Sequence, residues 1–346
     1  MNPTKYCRIL ILRLCVLVVA VSVGLSCKQS KSASEGQKQS PPAYAIVVHG
    51  GAGVMDRATM SAEMIEKYQN AINQALDLGE QILADGGTAL DAVEQTIRIM
   101  EDDSLFNAGR GAVFTAEGHN SLDASIMHGA IRDAGAVAGV SSVKHPISAA
   151  RGVMEQSAHV MLSGAGADQF AEQIGLEVVE PSYFYTSRRW KGLQKAKARA
   201  EKQLAKEKAE KYGTVGCVAL DSKGNIVAGT STGGMTYKKY GRIGDSPVIG
   251  AGTYADNATC GVSATGHGEF FIRHTVARDI AAMMEYGGYT LDEAADIVIN
   301  KVLVEAGGDG GVIALDKYGN ITTPFNTSGM YRGYRKPGER SVGIFK

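Results

Sequence analysis

The sequence YGTVGCVALDSKGNIVAGTSTGG at residues 212–234 predicts two short strands joined by a tight turn. Thr214 stands where the first strand begins, directly after Gly213 and a long charged segment. A cut between Gly213 and Thr214 would make Thr214 an N-terminal residue, with its own α-amine beside its hydroxyl as a base. This placement suggests a nucleophile, although a threonine at the start of a strand is more often simply a good strand former.

Composition sets broad limits on what the chain does. It has 346 residues, 44% of them hydrophobic, and a formal net charge of +0. No global charge therefore points to nucleic acid or to a membrane surface as a partner. The body contains only Cys217 and Cys260, without the CxxC spacing of a zinc site, so we expect two buried thiols rather than a disulfide framework.

The first 27 residues have the pattern of an export signal. A basic start is followed by an apolar run at residues 14–25, which is short for a transmembrane helix, and by Cys27. This pattern resembles a bacterial lipoprotein signal and predicts an exported, periplasmic protein held at the membrane by a lipid on Cys27. Plain secretion and a retained anchor are the alternatives. The polar residues 28–43 are predicted to be a flexible tether.

Hydrophobic periodicity predicts alternating helices and strands along the body. An apolar strand at residues 44–48 runs into the loop HGGAG at 49–53, whose spacing does not fit a dinucleotide-binding loop. Two similar hairpins, VALDSKGN at 218–225 and IALDKYGN at 313–320, suggest two related sheets or one sheet with a repeat. Together these patterns indicate an α/β fold built as a layered sandwich. Helices are predicted at residues 61–84, 88–100, 146–157, 165–174, 270–286 and 292–304, and further strands at 119–128 and 134–143.

The segment at residues 187–213 differs from the rest of the body because it is rich in Lys and Arg and lacks a wide apolar face. A solvated linker is the preferred interpretation. A nucleic-acid surface would need interleaved aromatic residues or a binding motif, and neither is present. If the chain is not an enzyme, residues 188–211 could make it a secreted module that binds anionic partners.

Polar residues on the turns of the second half suit amide hydrolysis by an N-terminal nucleophile. An α-amine has an ordinary pKa of about 7.7–8.0, low enough to accept a hydroxyl proton near neutral pH. Backbone N–H groups of a glycine turn and a threonine hydroxyl can stabilise an oxyanion. Arg242 and Asp245, in the sequence GRIGDSP, have the chemistry to hold the carboxylate and the ammonium of an amino acid, although an ordinary ion pair is commoner.

Several motifs together resemble the plant-type asparaginase/isoaspartyl peptidase family of N-terminal-nucleophile hydrolases. They occur in the order of that family and span nearly the whole body of the chain. Glycosylasparaginases share the architecture, but their nucleophile segment usually begins Asp-Thr-Ile-Gly rather than Gly-Thr-Val-Gly. The matching motifs are HGGAG at 49–53, FNAGRGAVF at 106–114, LDASIM at 122–127, GAVAGV at 135–140, GTVGCVALD at 213–221, TSTGGM at 230–235, GRIGDSP at 241–247, GAGTYAD at 250–256, TGHGE at 265–269 and GGDGG at 307–311.

The resemblance implies a role for each matching residue. Thr214 would be the nucleophile, exposed when the chain cuts itself after Gly213, and Thr232 would assist its activation. Arg242 and Asp245 would hold the substrate's α-carboxylate and α-amine. The remaining assignments are Thr265 and Gly266 to the oxyanion hole, Gly268 to the pocket lining, and Asn107 to a place beside the nucleophile.

The resemblance also implies an architecture and an activity. The fold would be a four-layer αββα sandwich, cut into an α subunit (44–213) and a β subunit (214–346) that pair as (αβ)2. The expected reaction is hydrolysis of β-aspartyl peptides and of the side-chain amide of L-asparagine; a glycosylasparaginase and a non-catalytic binding module are the alternatives. Catalysis would need no cofactor. A structural sodium ion would bind backbone carbonyls of Met100, Glu101, Asp103, Phe106, Ala108 and Arg110.

Overall fold

Two β-sheets lie face to face at the centre of the computed structural model, which describes residues 42–202 and 213–346. The larger sheet has the strand order β12-β11-β1-β5-β6-β2-β3-β4 and is antiparallel except for the β3–β4 pair. The smaller sheet has the order β10-β9-β8-β7. The strands are β1 (Ala45–Gly53), β2 (Leu122–His128), β3 (Asp133–Val140), β4 (Met161–Ser163), β5 (Val215–Leu220), β6 (Ile226–Thr232), β7 (Thr253–Ala255), β8 (Cys260–Gly266), β9 (Gly310–Asp316), β10 (Ile321–Thr322), β11 (Gly329–Lys336) and β12 (Glu339–Phe345).

Helices cover the outer face of each sheet, so the predicted four-layer αββα sandwich is confirmed. Helices α1 to α3 pack on the larger sheet, and α7 and α8 pack on the smaller one. Alternate residues of β1 divide between the two cores: Ile46 and Val48 face the helices, whereas Ala45 and Val47 face the second sheet. The helices are α1 (Ala62–Ala84), α2 (Ala89–Asp102), α3 (Pro146–Gln156), α4 (Gly164–Gln173), α5 (Ser187–Glu201), α6 (Gly268–Arg273), α7 (Val276–Gly287), α8 (Leu291–Ile297) and α9 (Leu303–Glu305), with a π-helical turn at Val298–Val302 between the last two.

Local sequence accounts for the starts of the first two helices. The Ser61 hydroxyl accepts a hydrogen bond from Met64 N at 3.2 Å, and the Thr88 hydroxyl accepts one from Asp91 N at 3.1 Å. Each bond satisfies an N–H group that has no partner within its helix. Helix α1 then lies close against the larger sheet at Gly79, where an added Cβ would stand 2.3 Å from Ile46 Cδ1.

The two similar hairpin sequences form one turn in each sheet. Asp221 Oδ1 accepts from the backbone N–H groups of Lys223 and Asn225 between β5 and β6. Asp316 Oδ1 makes the same pair of bonds to Tyr318 and Asn320 between β9 and β10. The two similar sequences therefore belong to two different sheets that contain the same kind of turn, rather than to one sheet with a repeat.

The structure differs from the sequence-based expectations at several places. Residues 49–53, expected to be a loop, continue strand β1. Part of the charged segment at 187–213 is helix α5, anchored by Leu193, which is buried, and by Trp190, which packs edge-to-face on Phe114. The helix expected at 270–286 is two helices, because Thr275 between them has a left-handed φ of 44°. Strands β4, β7, β8, β11 and β12 were not predicted. The predicted signal, the lipidated Cys27, most of the tether and residues 203–212 of the linker lie outside the described residues.

Candidate active site

The hairpin of β5 and β6 brings Thr214 and Thr232 together. Thr214 precedes β5 and Thr232 ends β6, and Val215 pairs with Ser231 in the ladder between them. The two side-chain oxygens lie 3.0 Å apart and both residues are buried. Thr232 Oγ1 also accepts from Gly234 N at 3.0 Å, so its own proton is available to the Thr214 oxygen.

Asn107 lies on the other side of the Gly213–Thr214 peptide bond. Its backbone N–H donates to the Gly213 carbonyl at 2.8 Å, and its side chain donates to the Gly234 carbonyl at 2.7 Å. Gly213 has no room for a side chain, since an added Cβ would stand 2.8 Å from Asn107 Cβ. Asn107 therefore ties the predicted cut site to the turn that follows Thr232.

Thr265 and Gly266 form the end of β8, in the second sheet. The Thr265 hydroxyl oxygen accepts from Ala52 N, near the end of β1, at 3.3 Å, and this bond leaves the hydroxyl proton free to donate elsewhere. An added Cβ at Gly266 would stand 2.5 Å from the Asp309 carbonyl oxygen. Only glycine therefore fits at this position.

Arg242, Asp245 and Gly268 form a second group, which adjoins the first at Gly234. A Cβ added at Gly268 would stand 2.7 Å from Asp245 Oδ1 and 2.9 Å from Arg242 Nη2, so Gly268 lies against both charged groups. A Cβ at Gly234, whose N–H reaches Thr232, would stand 3.5 Å from Arg242 Nη1. The Arg242 guanidinium also donates two hydrogen bonds to the Glu269 carboxylate, from Nε to Oε1 and from Nη2 to Oε2, each 2.9 Å long.

Asp245 is a buried carboxyl group with unused hydrogen-bonding capacity. Its Oδ2 is one of the few buried side-chain atoms in the described part of the chain without a hydrogen-bond partner. Burial raises the pKa of Asp245 to about 7, and the nearby Arg242 only partly offsets this effect. A cation delivered by a ligand would satisfy Oδ2 and lower the pKa again, so the group is suited to bind an ammonium ion.

Comparison with known proteins agrees with this geometry. The model of a family described as asparaginase matches residues 42–344. The chain belongs to this family. It is 48% identical to the isoaspartyl peptidase of Escherichia coli over 307 residues, which cover 87% of this chain and 96% of the relative. It is 40% identical to the isoaspartyl peptidase/L-asparaginase of Homo sapiens over 300 residues, covering 86% and 95%, and 39% identical to that of Xenopus laevis over 304 residues, covering 87% and 94%.

These names bear on the alternatives that the sequence left open. The relatives named here are isoaspartyl peptidases and L-asparaginases. Neither a glycosylasparaginase nor a non-catalytic binding module is favoured by this finding. Enzymes of the asparaginase family act without a cofactor, in agreement with the expectation for this chain.

The predicted location of this asparaginase-family protein is wrong. Relatives in E. coli, plants and mammals are largely cytosolic enzymes, and their similarity to this chain contradicts an exported, periplasmic protein held by a lipid on Cys27. In the part of the chain that the structure describes, no helix is long and apolar enough to cross a membrane. The prediction rested on the basic start, the apolar run at residues 14–25 and Cys27, all of which are local sequence signals.

The segment predicted to hold sodium begins in the last turn of helix α2 and curls tightly through the Gly109–Gly111 turn. A Cβ at Gly109 would stand 2.3 Å from the Glu101 carbonyl oxygen, and one at Gly111 would stand 2.0 Å from that of Phe106. These two predicted ligand carbonyls therefore pack closely against the two glycines of the turn. No group of three or more His, Cys, Asp or Glu side chains in the described ranges could hold a metal. The sodium site through the backbone carbonyls of Met100, Glu101, Asp103, Phe106, Ala108 and Arg110 stays a prediction.

The sequence analysis missed a buried ion pair close to this site. Asp123 and Lys238 are both buried, with Lys238 Nζ 3.8 Å from Asp123 Oδ2 and 2.8 Å from the Ser121 carbonyl. Burial raises the pKa of Asp123 and lowers that of Lys238. Asp123 lies within the matching motif LDASIM, which could have drawn attention to it, whereas Lys238 lies in no such motif.

As predicted, both Cys217 and Cys260 are buried free thiols.

Proposed function

We propose that this protein hydrolyses β-aspartyl peptides and the side-chain amide of L-asparagine, with Thr214 as the nucleophile. The observation that carries the proposal is the 3.0 Å contact between Thr214 Oγ1 and Thr232 Oγ1, directly after the Gly213–Thr214 bond. The names of the relatives support the same reaction. A β-aspartyl substrate presents a free α-carboxylate and α-ammonium, which match the charges of Arg242 and Asp245.

The chain first cuts itself between Gly213 and Thr214. The Thr214 hydroxyl oxygen attacks the Gly213 carbonyl carbon, the hydroxyl proton passes to the peptide nitrogen, and the C–N bond breaks to give an ester and the free α-amine of Thr214. The bond from Asn107 N to the Gly213 carbonyl oxygen, 2.8 Å long, would stabilise the negative charge that develops on that oxygen. Hydrolysis of the resulting ester then separates the two halves.

In the mature site the free α-amine of Thr214 takes the proton from the hydroxyl group. The alkoxide attacks the side-chain carbonyl carbon of the substrate, while the Thr265 hydroxyl and Gly266 N–H donate to the developing oxyanion. The leaving amine takes a proton from the ammonium group of Thr214. Water, activated by the same amine, then hydrolyses the aspartyl ester and frees the enzyme. Thr232 donates to the Thr214 oxygen and keeps it reactive in both halves of the cycle.

Arg242, Asp245 and Gly268 select the substrate. The guanidinium of Arg242 binds the α-carboxylate, Asp245 binds the α-ammonium, and Gly268 leaves the space between them open. Arg242 would share its charge between the ligand and Glu269, because it already contacts Glu269 through two nitrogen atoms. These residues bind only the α-carboxylate and the α-ammonium of the aspartyl group. The leaving group can therefore be either ammonia or a peptide amine.

We further propose that the two halves remain one body after cleavage and pair as (αβ)2. The strand order interleaves them, because β5 and β6 of the second half lie between β1 and β2 of the first. Separation would therefore break three strand ladders, β1–β11, β1–β5 and β2–β6, and both cores. Gel electrophoresis should resolve two chains in denaturant, and native mass spectrometry should find them as a heterotetramer; a single αβ unit at micromolar concentration would contradict the pairing.

The decisive experiment compares wild-type protein with Thr214→Ala on three substrates: β-aspartyl-leucine, L-asparagine and a glycosylated asparagine. We expect the wild type to be cut after Gly213 and to hydrolyse the first two. Thr214→Ala should be neither cut nor active. Thr214→Ser is the matched control, since it retains a hydroxyl group and should be cut. Mass spectrometry that found one uncut and fully active wild-type chain would refute the proposal.

A further inference from the structure

A line of buried polar side chains crosses the space between the two sheets and ends at Thr214. Each member has no exposed surface, and each comes from a different strand. The cleavage and hydrolysis steps above use none of them. The members are His49 of β1, Ser263 of β8, Thr230 of β6, Thr253 of β7 and Ser125 of β2.

Hydrogen bonds join these side chains without a break. His49 Nδ1 lies 3.0 Å from the Thr214 carbonyl oxygen, and Nε2 lies 3.1 Å from Ser263 Oγ. Ser263 Oγ is 2.6 Å from Thr230 Oγ1, which is 2.6 Å from Thr253 Oγ1. Ser125 Oγ lies 2.8 Å from Thr253 Oγ1 and 2.6 Å from the carbonyl oxygen of Ser246, the residue after Asp245.

The chemistry of the first bond fixes the direction of those next to it. The Thr214 carbonyl only accepts, so His49 Nδ1 must carry a proton. Burial lowers the pKa of His49 to about 3, and the ring is therefore neutral near pH 7, with Nε2 as an acceptor. Ser263 then uses its single proton on Nε2, which leaves its oxygen to accept from Thr230.

Packing holds the imidazole ring in this orientation. An added Cβ at Gly216, which pairs with His49 in the β1–β5 ladder, would stand 2.4 Å from His49 Nε2 and 2.0 Å from Ser263 Oγ. The ring and the serine therefore fill the space above the strand that follows Thr214. Cleavage would remove the covalent tether on the other side of Thr214, so contacts to its carbonyl and hydroxyl groups would have to orient the new chain end.

We infer that His49 is a positioning residue for the nucleophile. Its Nδ1–H donates a hydrogen bond to the Thr214 carbonyl, and the hydrogen-bonded hydroxyl groups that begin at Ser263 keep the imidazole ring in place. The inference rests on the proposed function of Thr214. His49 touches neither the substrate nor the reacting oxygen, so it acts on the rate through the orientation of Thr214. Its loss should lower kcat and leave KM, which Arg242 and Asp245 would govern, nearly unchanged.

The kinetic test compares three variants, with rates expressed per cleaved chain counted by mass spectrometry. His49→Phe keeps a ring but loses both nitrogens, and we expect kcat on β-aspartyl-leucine to fall about 30- to 100-fold, with KM within about threefold. His49→Asn retains a donor near the position of Nδ1 and should recover kcat to within about tenfold of the wild type. Ser263→Ala leaves the Thr214 bond in place and should lower kcat by about three- to tenfold.

A wild-type kcat in cleaved His49→Phe would overturn the inference, and so would an Asn variant as slow as the Phe variant. If His49→Phe does not fold or cleave, nitrogen-15 NMR of histidine-labelled wild type decides the question. It should show His49 protonated at Nδ1 and unprotonated at Nε2, with a shift at Nε2 in Ser263→Ala; the opposite tautomer would overturn the inference. An inactive wild type, or an active Thr214→Ala, would instead refute the proposed function.

Discussion

Replacing Asp245 by Asn should make the protein more stable at pH 8 and a much poorer enzyme. In the free protein the Asp245 carboxyl is buried, Oδ2 lacks a hydrogen-bond partner within the described ranges, and burial raises its pKa from 3.8 to about 7. Above pH 7 the folded protein must therefore hold a charge that the unfolded chain holds more easily. Asn has the same shape without that charge.

The sign and size of the effect follow from the two pKa values. Between pH 3.8 and about 7 the folded state keeps a proton that the unfolded state has lost, so wild-type stability falls as pH rises, by about 1.36 kcal/mol per pH unit. The fall ends near pH 7, at a total of at most about 4 kcal/mol. The Asn amide would lie beside the Arg242 guanidinium, so we expect the gain in stability to fall at or below this limit. The expected gain is about 2–4 kcal/mol at pH 8, or roughly 5–10 °C in Tm.

Calorimetry of both proteins at pH 4, 6 and 8 measures this effect. The gain in Tm should be near zero at pH 4, intermediate at pH 6 and complete at pH 8. Glu66→Gln is the control, because it removes one charge of the same sign from an exposed position on α1. In parallel, kcat/KM for β-aspartyl-leucine should fall about a hundredfold or more in Asp245→Asn. Equal melting temperatures at pH 8, or a gain that did not change with pH, would refute the burial argument.

Three further predictions concern the cut site and the pocket. Thr232→Val removes the hydroxyl that contacts Thr214 and should lower kcat about a hundredfold or more, measured by ammonia release from L-asparagine. Gly213→Ala would place a methyl group 2.8 Å from Asn107 Cβ and should slow self-cleavage at least about tenfold, which a time course on denaturing gels would reveal. Gly268→Ala would crowd Asp245 and Arg242 and should raise KM at least about tenfold with a smaller change in kcat; an unchanged KM would contradict the placement of the head group.

Local patterns in the sequence were enough for much of the fold. The short, fully buried runs of β1, β5 and β6, and the hydroxyl caps of α1 and α2, depend on neighbours only a few residues apart. The division of 270–286 into two helices at Thr275 was not predictable in this way, because the residues there give no Gly or Pro signal. The segment that forms helix α5 was interpreted as a linker for a similar reason, because only two apolar side chains, Trp190 and Leu193, anchor the helix.

The sequence by itself determined that Thr214 and Thr232 meet, because a short hairpin with a fixed turn brings the ends of its two strands together. The contacts behind these two residues depend instead on how distant parts of the chain pack together. His49 contacts Ser263 across 214 positions of the chain because one sheet stacks on another, and Lys238 meets Asp123 because the segment after β6 packs near the start of β2. The raised pKa of Asp245 has the same origin. Burial and long-range hydrogen bonds depend on how layers pack, and a pattern of near neighbours does not encode that packing.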